Sequence, residues 1–429
     1  MSKEKTSMSK NDKQRALVPR LRFPEFRDES GWLPVRLDQL ADRVTTKNAD
    51  ESVTRVLTNS AEHGVLNQRE YFDKDIATKG NLDGYYVVEH GDFVYNPRIS
   101  SAAPVGPISR NNVGEGVMSP LYTVFRFNHT DTDFYEHYFK STSWHLYLRS
   151  VSSTGARHDR MSISNAGFMQ MPVPNPHPSE QQKIADCLSS LDDLIAAEGR
   201  KLAALRDHKK GLTQQLFPRE GETRPRLRFP EFRDAGEWEE KTIETLARVT
   251  QGGTPDTSNG EYWDGTINWM TPAEMGKGDS PYIGSTMRTL TEEGLNNCSS
   301  ELLPAHSVIV STRAPIGHIA INTVPIAINQ GCRGLVPVED AHFLYYALLR
   351  AKPRLMDFGA GNTFKELSGS ALKCFVLQTP SPPEQQKIAD CLSALDALIT
   401  AQGEKLDALR THKRGLMQQL FPSPEELRA

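Results

Sequence analysis

Two polar loops carry side chains suited to multipoint hydrogen bonding. The stretch SSTGARHDRMS (152–162) sets Arg157, His158 and Arg160 behind a glycine, and Arg98 with Ser100 follows the apolar run GDFVYNP upstream. In the second half of the chain GAGNTFKELS (359–368) offers Asn362, Thr363 and Lys365, together with Arg313 and with Thr254 of the loop GGTPDTSNGEYW. A guanidinium fork pairs with two acceptors of guanine, and an amide pairs with adenine. Every one of these residues also suits a solvated surface or a turn, and Arg98 and Arg313, each directly after an apolar run, suit a structural role. Tyr262, Trp263 and Trp269 read as core rather than as stacking platforms, and the HKK and HKR runs (208–210, 412–414) as solvated helix faces.

Catalytic and metal chemistry find no support. The sequence contains no GxxxxGK[ST] phosphate loop, no NPPY-like or DPPY-like methyltransferase motif, no HExxH and no GxSxG. Asp234, Glu239 and Lys241 have a nuclease-like spacing, but the repeat-equivalent stretch WLPV keeps none of it, so coincidence explains it better. The five cysteines form no CxxC pair, which argues against a zinc site or disulfide framework, and Cys187 and Cys391 read as packing residues. No catalytic residue and no metal ligand is therefore expected.

The elements that hold these loops are written twice. EQQKIADCL occurs at 180–188 and again at 384–392, and aligning 180–218 with 384–422 gives 30 identities in 39 positions. Upstream of each copy, RLRFPEFRD stands at 20–28 and 226–234, with Trp32 and Trp238 following at the same offset. Two tandem modules result, each a shared lead-in, a divergent body and a shared tail.

Each tail reads as a long amphipathic helix. Ile184, Leu188, Leu191, Ile195, Leu202, Leu205, Leu212 and Leu216 alternate at three- and four-residue spacing, interrupted by Glu198 and Lys209. Ile388, Leu392, Leu395, Ile399, Leu406, Leu409, Leu416 and Leu420 repeat the stripe, which is a heptad seam. Differences between the copies lie mostly off the seam, so the two helices are expected to pack on each other, antiparallel rather than parallel, as a rod of roughly 55 Å. Ser381 with Glu384 fits a capping box, and Pro218 and Pro422 end the helices. Gly199/Gly403 and Gly211/Gly415, each costing about 1 kcal/mol in a helix interior, suggest close backbone approach or, nearly as well, a kink.

The bodies contain short apolar runs bounded by Gly, Pro and Asn, which predict strands of an α+β fold. The two are related: GDFVYNPRISSAAPVGPISR (91–110) parallels HSVIVSTRAPIGHIAI (306–321), and both end in a glycine turn, an amphipathic helix and a short strand. The expected organisation is a disordered tail (1–19), a first body (20–178), a first helix (179–218), a linker (219–225), a second body (226–383), a second helix (384–422) and a short tail (423–429). With no run of eighteen apolar residues and a polar first stretch, the chain is expected to be soluble and cytoplasmic, with no membrane partner.

GGTPDTSNGEYWDGTINWMTPAEM (252–275), STRAPIGHIAI (311–321) and SPPEQQKIADCLSALDALI (381–399), with the doubled architecture, resemble the specificity subunits of type I restriction-modification systems. The resemblance covers nearly all the chain beyond residue 19, although the first body lacks the GGTP run and reads RVTTKNADESVTRVLTNSAEHG in its place. It implies two target recognition domains, each reading one half of a split site in double-stranded DNA, and helices that fix the unread spacer. It also implies two DNA-methyltransferase subunits docked on the conserved regions, joined by motor-nuclease subunits. No cofactor is expected here, because S-adenosylmethionine, ATP and Mg belong to those partners. On this reading Arg98, Ser100, Arg157, His158, Arg160, Thr254, Arg313, Asn362, Thr363 and Lys365 are the DNA-binding candidates. The net charge of −4 predicts weak, salt-sensitive DNA binding by the isolated chain. The alternative is a coiled-coil scaffold whose bodies bind proteins or glycans; an unrecognised nuclease stands behind both.

Overall fold

A computed structural model of the protein describes residues 16–71, 82–153, 159–276, 278–313, 316–359, 367–423 and 425. The chain divides into two compact units, the first made of residues up to 195 together with those from 408 on, the second of 196–407. Both are α+β, and each takes part of both long helices, Pro178–Leu216 and Pro382–Leu420, which have 39 residues apiece.

In the first unit an antiparallel sheet runs in the order Ala41–Arg43, Thr123–Phe127, Phe93–Tyr95, Ile108–Arg110. Its inner face is aromatic: Phe93 stacks on Phe125 at 5.5 Å, and Phe139 and Phe168 pack edge-on or tilted around them. In the second unit a five-stranded sheet (Ala247–Gln251, Cys332–Pro337, Val308–Ser311, Ile319–Asn322, Tyr282–Ile283) accompanies a three-stranded one built on Trp263–Met270. The apolar runs matched in the sequence become the same element in both units, a hairpin of Phe93–Tyr95 with Ile108–Arg110 and of Val308–Ser311 with Ile319–Asn322.

Helix pairing is visible inside each unit. In the first, Ile184 and Leu188 share a core with Leu416, Leu420 and Phe421, and Lys413 Nζ lies 2.5 Å from Asp192. In the second, Leu212, Leu216 and Phe217 share a core with Ile388 and Leu392, Lys209 pairs with Asp396, and Gln402 donates to Glu198 at 2.6 Å. Residues ascending on one helix meet residues descending on the other, so the pairing is antiparallel. None of the sixteen seam residues is exposed. The polar interruptions of the stripe are the ion-paired positions, and Asp192–Lys413 and Asp396–Lys209 occupy equivalent places in the repeat.

The duplicated lead-in is a clasp. Arg22 donates to both carboxylate oxygens of Glu180 (2.6 and 2.7 Å), and Arg228 does the same to Glu384 (2.7 and 2.7 Å), with all four side chains nearly buried. Lys183 reaches Glu25 and Lys387 reaches Glu231 in the same way. The lead-in also bonds the end of the opposing helix, Leu21 N–H to the Gln419 carbonyl and Leu227 N–H to the Gln215 carbonyl. Each lead-in then continues into a strand antiparallel to the last strand of its body, Leu33–Arg36 with Pro172–Asn175 and Glu239–Thr242 with Val376–Thr379.

Three expectations need correction. Both carboxylate oxygens of Glu384 turn to Arg228, so the capping-box role gives way to a stronger charge-assisted pair. A Cβ built on Gly199, Gly211, Gly403 or Gly415 would meet nothing within 4 Å, so no backbone approaches there, and both helices run on without a break. Finally, the tail expected to be disordered through residue 19 is packed from Leu17 onward. Leu17 is 2 % exposed and exchanges two backbone bonds with Trp32 (2.8 and 2.7 Å), since an apolar Leu-Val-Pro stretch ends an otherwise polar segment.

Candidate nucleic-acid interface

Both bodies tie the loop after the first hairpin strand to the loop before the closing helix by the same backbone bond. In the first unit Met161 N–H donates to the Pro97 carbonyl at 2.9 Å; in the second, Leu367 N–H donates to the Thr312 carbonyl at 3.0 Å. Arg98 and Arg313 follow Pro97 and Thr312 directly, so each arginine stands where the two loops meet.

The first unit gathers Arg98, Ser100 and Arg160. Arg98 and Arg160 form an antiparallel bridge, and Ile99 N–H bonds the Asp159 carbonyl at 3.0 Å. Asp159 lies 3.7 Å from both guanidinium groups, a loose contact that holds them without saturating their donors. The Arg98 side chain is 61 % exposed, whereas Arg160 is 25 % exposed. Ser100 is a turn former, its hydroxyl accepting from Ala103 N–H. A bridge between Ser153 and Ser162 closes the base of the second loop. Arg157 and His158 fall within that loop and lie outside the described residues.

In the second unit the convergence is centred on Gly331. Thr312 and Arg313 N–H groups both bond its carbonyl, and Gly331 N–H is held by Asn329 Oδ1. Thr254 donates to Gln330 Oε1, and Arg333 Nη1 donates to the carbonyls of Gln330 and Cys332. Thr254, Arg313, Gln330 and Arg333 are thus one cluster, with Asn362, Thr363 and Lys365 outside the described residues. Gln330 and Arg333 were missed in the sequence because NQG reads as a turn and nothing in it announces that the turn abuts two other loops.

The GGTP loop is positioned by two indoles together with its own backbone, Gly253 N–H donating to the Ile328 carbonyl at 2.9 Å. Trp263 Nε1 donates to the Asp256 carbonyl at 3.1 Å and Trp269 Nε1 to the Gly253 carbonyl at 2.9 Å. The rings meet edge to face at 5.1 Å, are 6 % and 5 % exposed, and carry Arg288 over Trp263 at 3.4 Å. They are core, and Arg288 already covers one face of Trp263. Gly253 and Gly252 have to be glycine, since a Cβ would fall within 2.6 Å of Ser299 and 1.9 Å of the Asn329 carbonyl oxygen respectively.

No group of three or more His, Cys, Asp or Glu residues able to hold a metal occurs among the described residues. Burial pushes His137 and His145 down to about 4 and the Cys332 thiol up to about 12. No helix of the described residues is long and apolar enough to cross a membrane.

Comparison with known proteins bears on the same two bodies. The family model described as the type I restriction modification DNA specificity domain matches residues 66–207 and 235–410. The chain is 40 % identical over 168 residues to the type I restriction enzyme MjaIX specificity subunit of Methanocaldococcus jannaschii, covering 38 % of this chain and 39 % of that one. It is 28 % identical over 290 residues to the EcoR124I/EcoR124II specificity subunit of Escherichia coli, covering 62 % of this chain and 67 % of the other. The matched region thus spans well under half of the first relative and about two thirds of the second. A crystal structure of a type I restriction-modification S subunit from M. genitalium superposes with a TM-score of 0.57 at 14 % identity, over 95 % of this chain and all of that one. A chain from a structure of type I R-M complex assembly and conformational transition gives 0.55 at 17 % identity, over 92 % and 98 %. These two establish likeness of fold.

Proposed function

Since the chain belongs to the type I restriction modification DNA specificity family, we propose that it is the sequence-reading subunit of a type I restriction-modification complex, with no catalytic group of its own. Each body reads one half of a bipartite site in double-stranded DNA. The long helices set the number of unread base pairs between the halves and, with the duplicated lead-ins, offer docking surfaces to two methyltransferase subunits, which motor-nuclease subunits join. S-adenosylmethionine, ATP and Mg belong to those partners, and the complex works in the cytoplasm.

The observation that carries this reading is the shared tether of the two bodies, which brings an arginine and a second polar loop to one place in each. Around Arg98 the partners are Arg160 and Ser100; around Arg313 they are Thr254, Gln330 and Arg333. One scaffold thus presents two different sets of donors and acceptors, as two different half-sites require. The net charge of −4 leaves most of the phosphate attraction to the partner subunits.

The test is to express the chain with its methyltransferase partner and sequence the methylated motif. A split motif methylated only in the presence of this chain is the expected result, and Arg98→Ala with Arg160→Ala should relax one half while leaving the other intact. A contiguous motif, or methylation unchanged without the chain, would overturn the proposal.

A further inference from the structure

Three arginines of the second unit converge without an anion to neutralise them. Arg219 and Arg226, from the stretch after the first long helix, and Arg350, at the end of the helix Ala341–Arg350, line one cavity of about 480 Å³ with Gly211, Gln214 and Gln215. No carboxylate lines that cavity. Nearby cations are treated differently: Arg206 is paired with Asp279, Lys209 with Asp396 and Arg228 with Glu384. Arg219, Arg226 and Arg350 have no ion pair among the described residues, and the buried Arg350 Nε has no hydrogen-bond partner. Glu220, Glu222 and Glu240 line an adjoining cavity that shares Arg219 and Arg350, but none is within ion-pair distance of either.

Like charges brought together repel, and a buried N–H without an acceptor is destabilising. An arrangement that accepts both costs is built for an occupant. Gly211, with no side chain, lines the same cavity. At the equivalent places of the other repeat Gly415, Gln418, Gln419 and, for Arg226, Arg20 are kept, while Arg219 becomes Ser423, so the two repeats differ here by at least one guanidinium.

We propose that this cavity is an oxyanion site that takes a phosphate group through the guanidinium forks of Arg219, Arg226 and Arg350, with Gln214 and Gln215 supplying amide donors. Forked donors match the tetrahedral oxygens of a phosphate better than a point charge does. The proposal stands apart from base reading, because no base enters the site. Its ligand is free inorganic phosphate or a phosphodiester of nucleic acid.

Isothermal titration of the full chain with inorganic phosphate, at ionic strength held constant with chloride, tests it. Saturable binding is expected, weakened about tenfold in each of Arg226→Gln and Arg350→Gln, the loss that one charge-assisted hydrogen bond implies. Arg226 is exposed, so its variant keeps the fold if Arg350→Gln does not. Competition by a short DNA duplex, lost in Arg226→Gln, would assign the site to the nucleic-acid backbone; duplex binding indifferent to the substitution would assign it to free phosphate. No saturable binding by the wild-type chain, or equal affinity in all three proteins, would overturn the proposal.

Discussion

At the scale of residues the molecule relies on a few buried charges placed with their partners. Glu180 and Glu384 are each 1 % exposed and each satisfied by an arginine fork from the lead-in, with Trp32 Nε1 adding a third bond to Glu180 at 2.9 Å. Trp238 is the repeat counterpart of Trp32, but its Nε1 has no partner. Removing one member of such a pair strands the other in the core. Arg22→Met should therefore destabilise the first unit by about 3 kcal/mol or more, and Arg228→Met the second at least as much, since Glu384 lacks the indole. Urea unfolding read by tryptophan fluorescence checks this; a cost below about 1 kcal/mol would mean that water reaches the carboxylates. That RLRFPEFRD matters was legible from its duplication. What it grips was not, because Arg22 and Glu180 are 158 positions apart and no local pattern links them.

Among the elements, the long helices were the most readable and their glycines the least. A stripe repeating over 39 residues fixes both the helix and the face it buries, whatever the tertiary surroundings. A glycine says only that a side chain is missing; whether a neighbour or empty space replaces it is a property of the packed state. Here space replaces it, so Gly199→Ala and Gly403→Ala should each stabilise the protein by about 0.8–1 kcal/mol, seen as a higher midpoint in thermal melts. Lengthening both helices by one matched turn should widen the unread spacer in the methylated motif; an unchanged spacer would separate helix length from site geometry. Short strands were readable from their Gly and Pro borders, their pairing as hairpins only from the packed fold. The convergence of loops at Gly331 was not, since it depends on which strands are neighbours in the sheet rather than neighbours in the chain.

For the molecule as a whole, acid acts unevenly on the two units. Burial holds His137 and His145 of the first unit at about 4, so the unfolded chain binds protons more readily than the folded one as pH falls below about 6.5. Stability of that unit is full above this value and is lost progressively down to about pH 4. Lys140 and Lys413 reinforce the shift at His137, while Asp192 and Glu136 oppose it. In the second unit His342 is shifted upward, chiefly by its bond to Asp340, so its contribution is present below about 6.5 and fades as pH rises through its folded value. Hydrogen exchange corrected for intrinsic rates, compared at pH 7 and pH 5, should show residues 133–151 losing protection while 341–350 keep theirs. Equal loss in both would mean that the histidines are not the cause.

The first unit is discontinuous: Phe134 and Tyr138 pack against Phe421 at 5.5 and 5.7 Å, and Ser143 donates to the Pro422 carbonyl at 2.7 Å. During synthesis residues 196–407 of the second unit are made before Phe421 and Pro422 of the first, so the earlier-made part of the first unit waits with aromatic rings bare for them. A premature stop a few codons short of Phe421 would therefore injure the part of the protein translated first, and a nascent chain stalled there is the species a chaperone would meet.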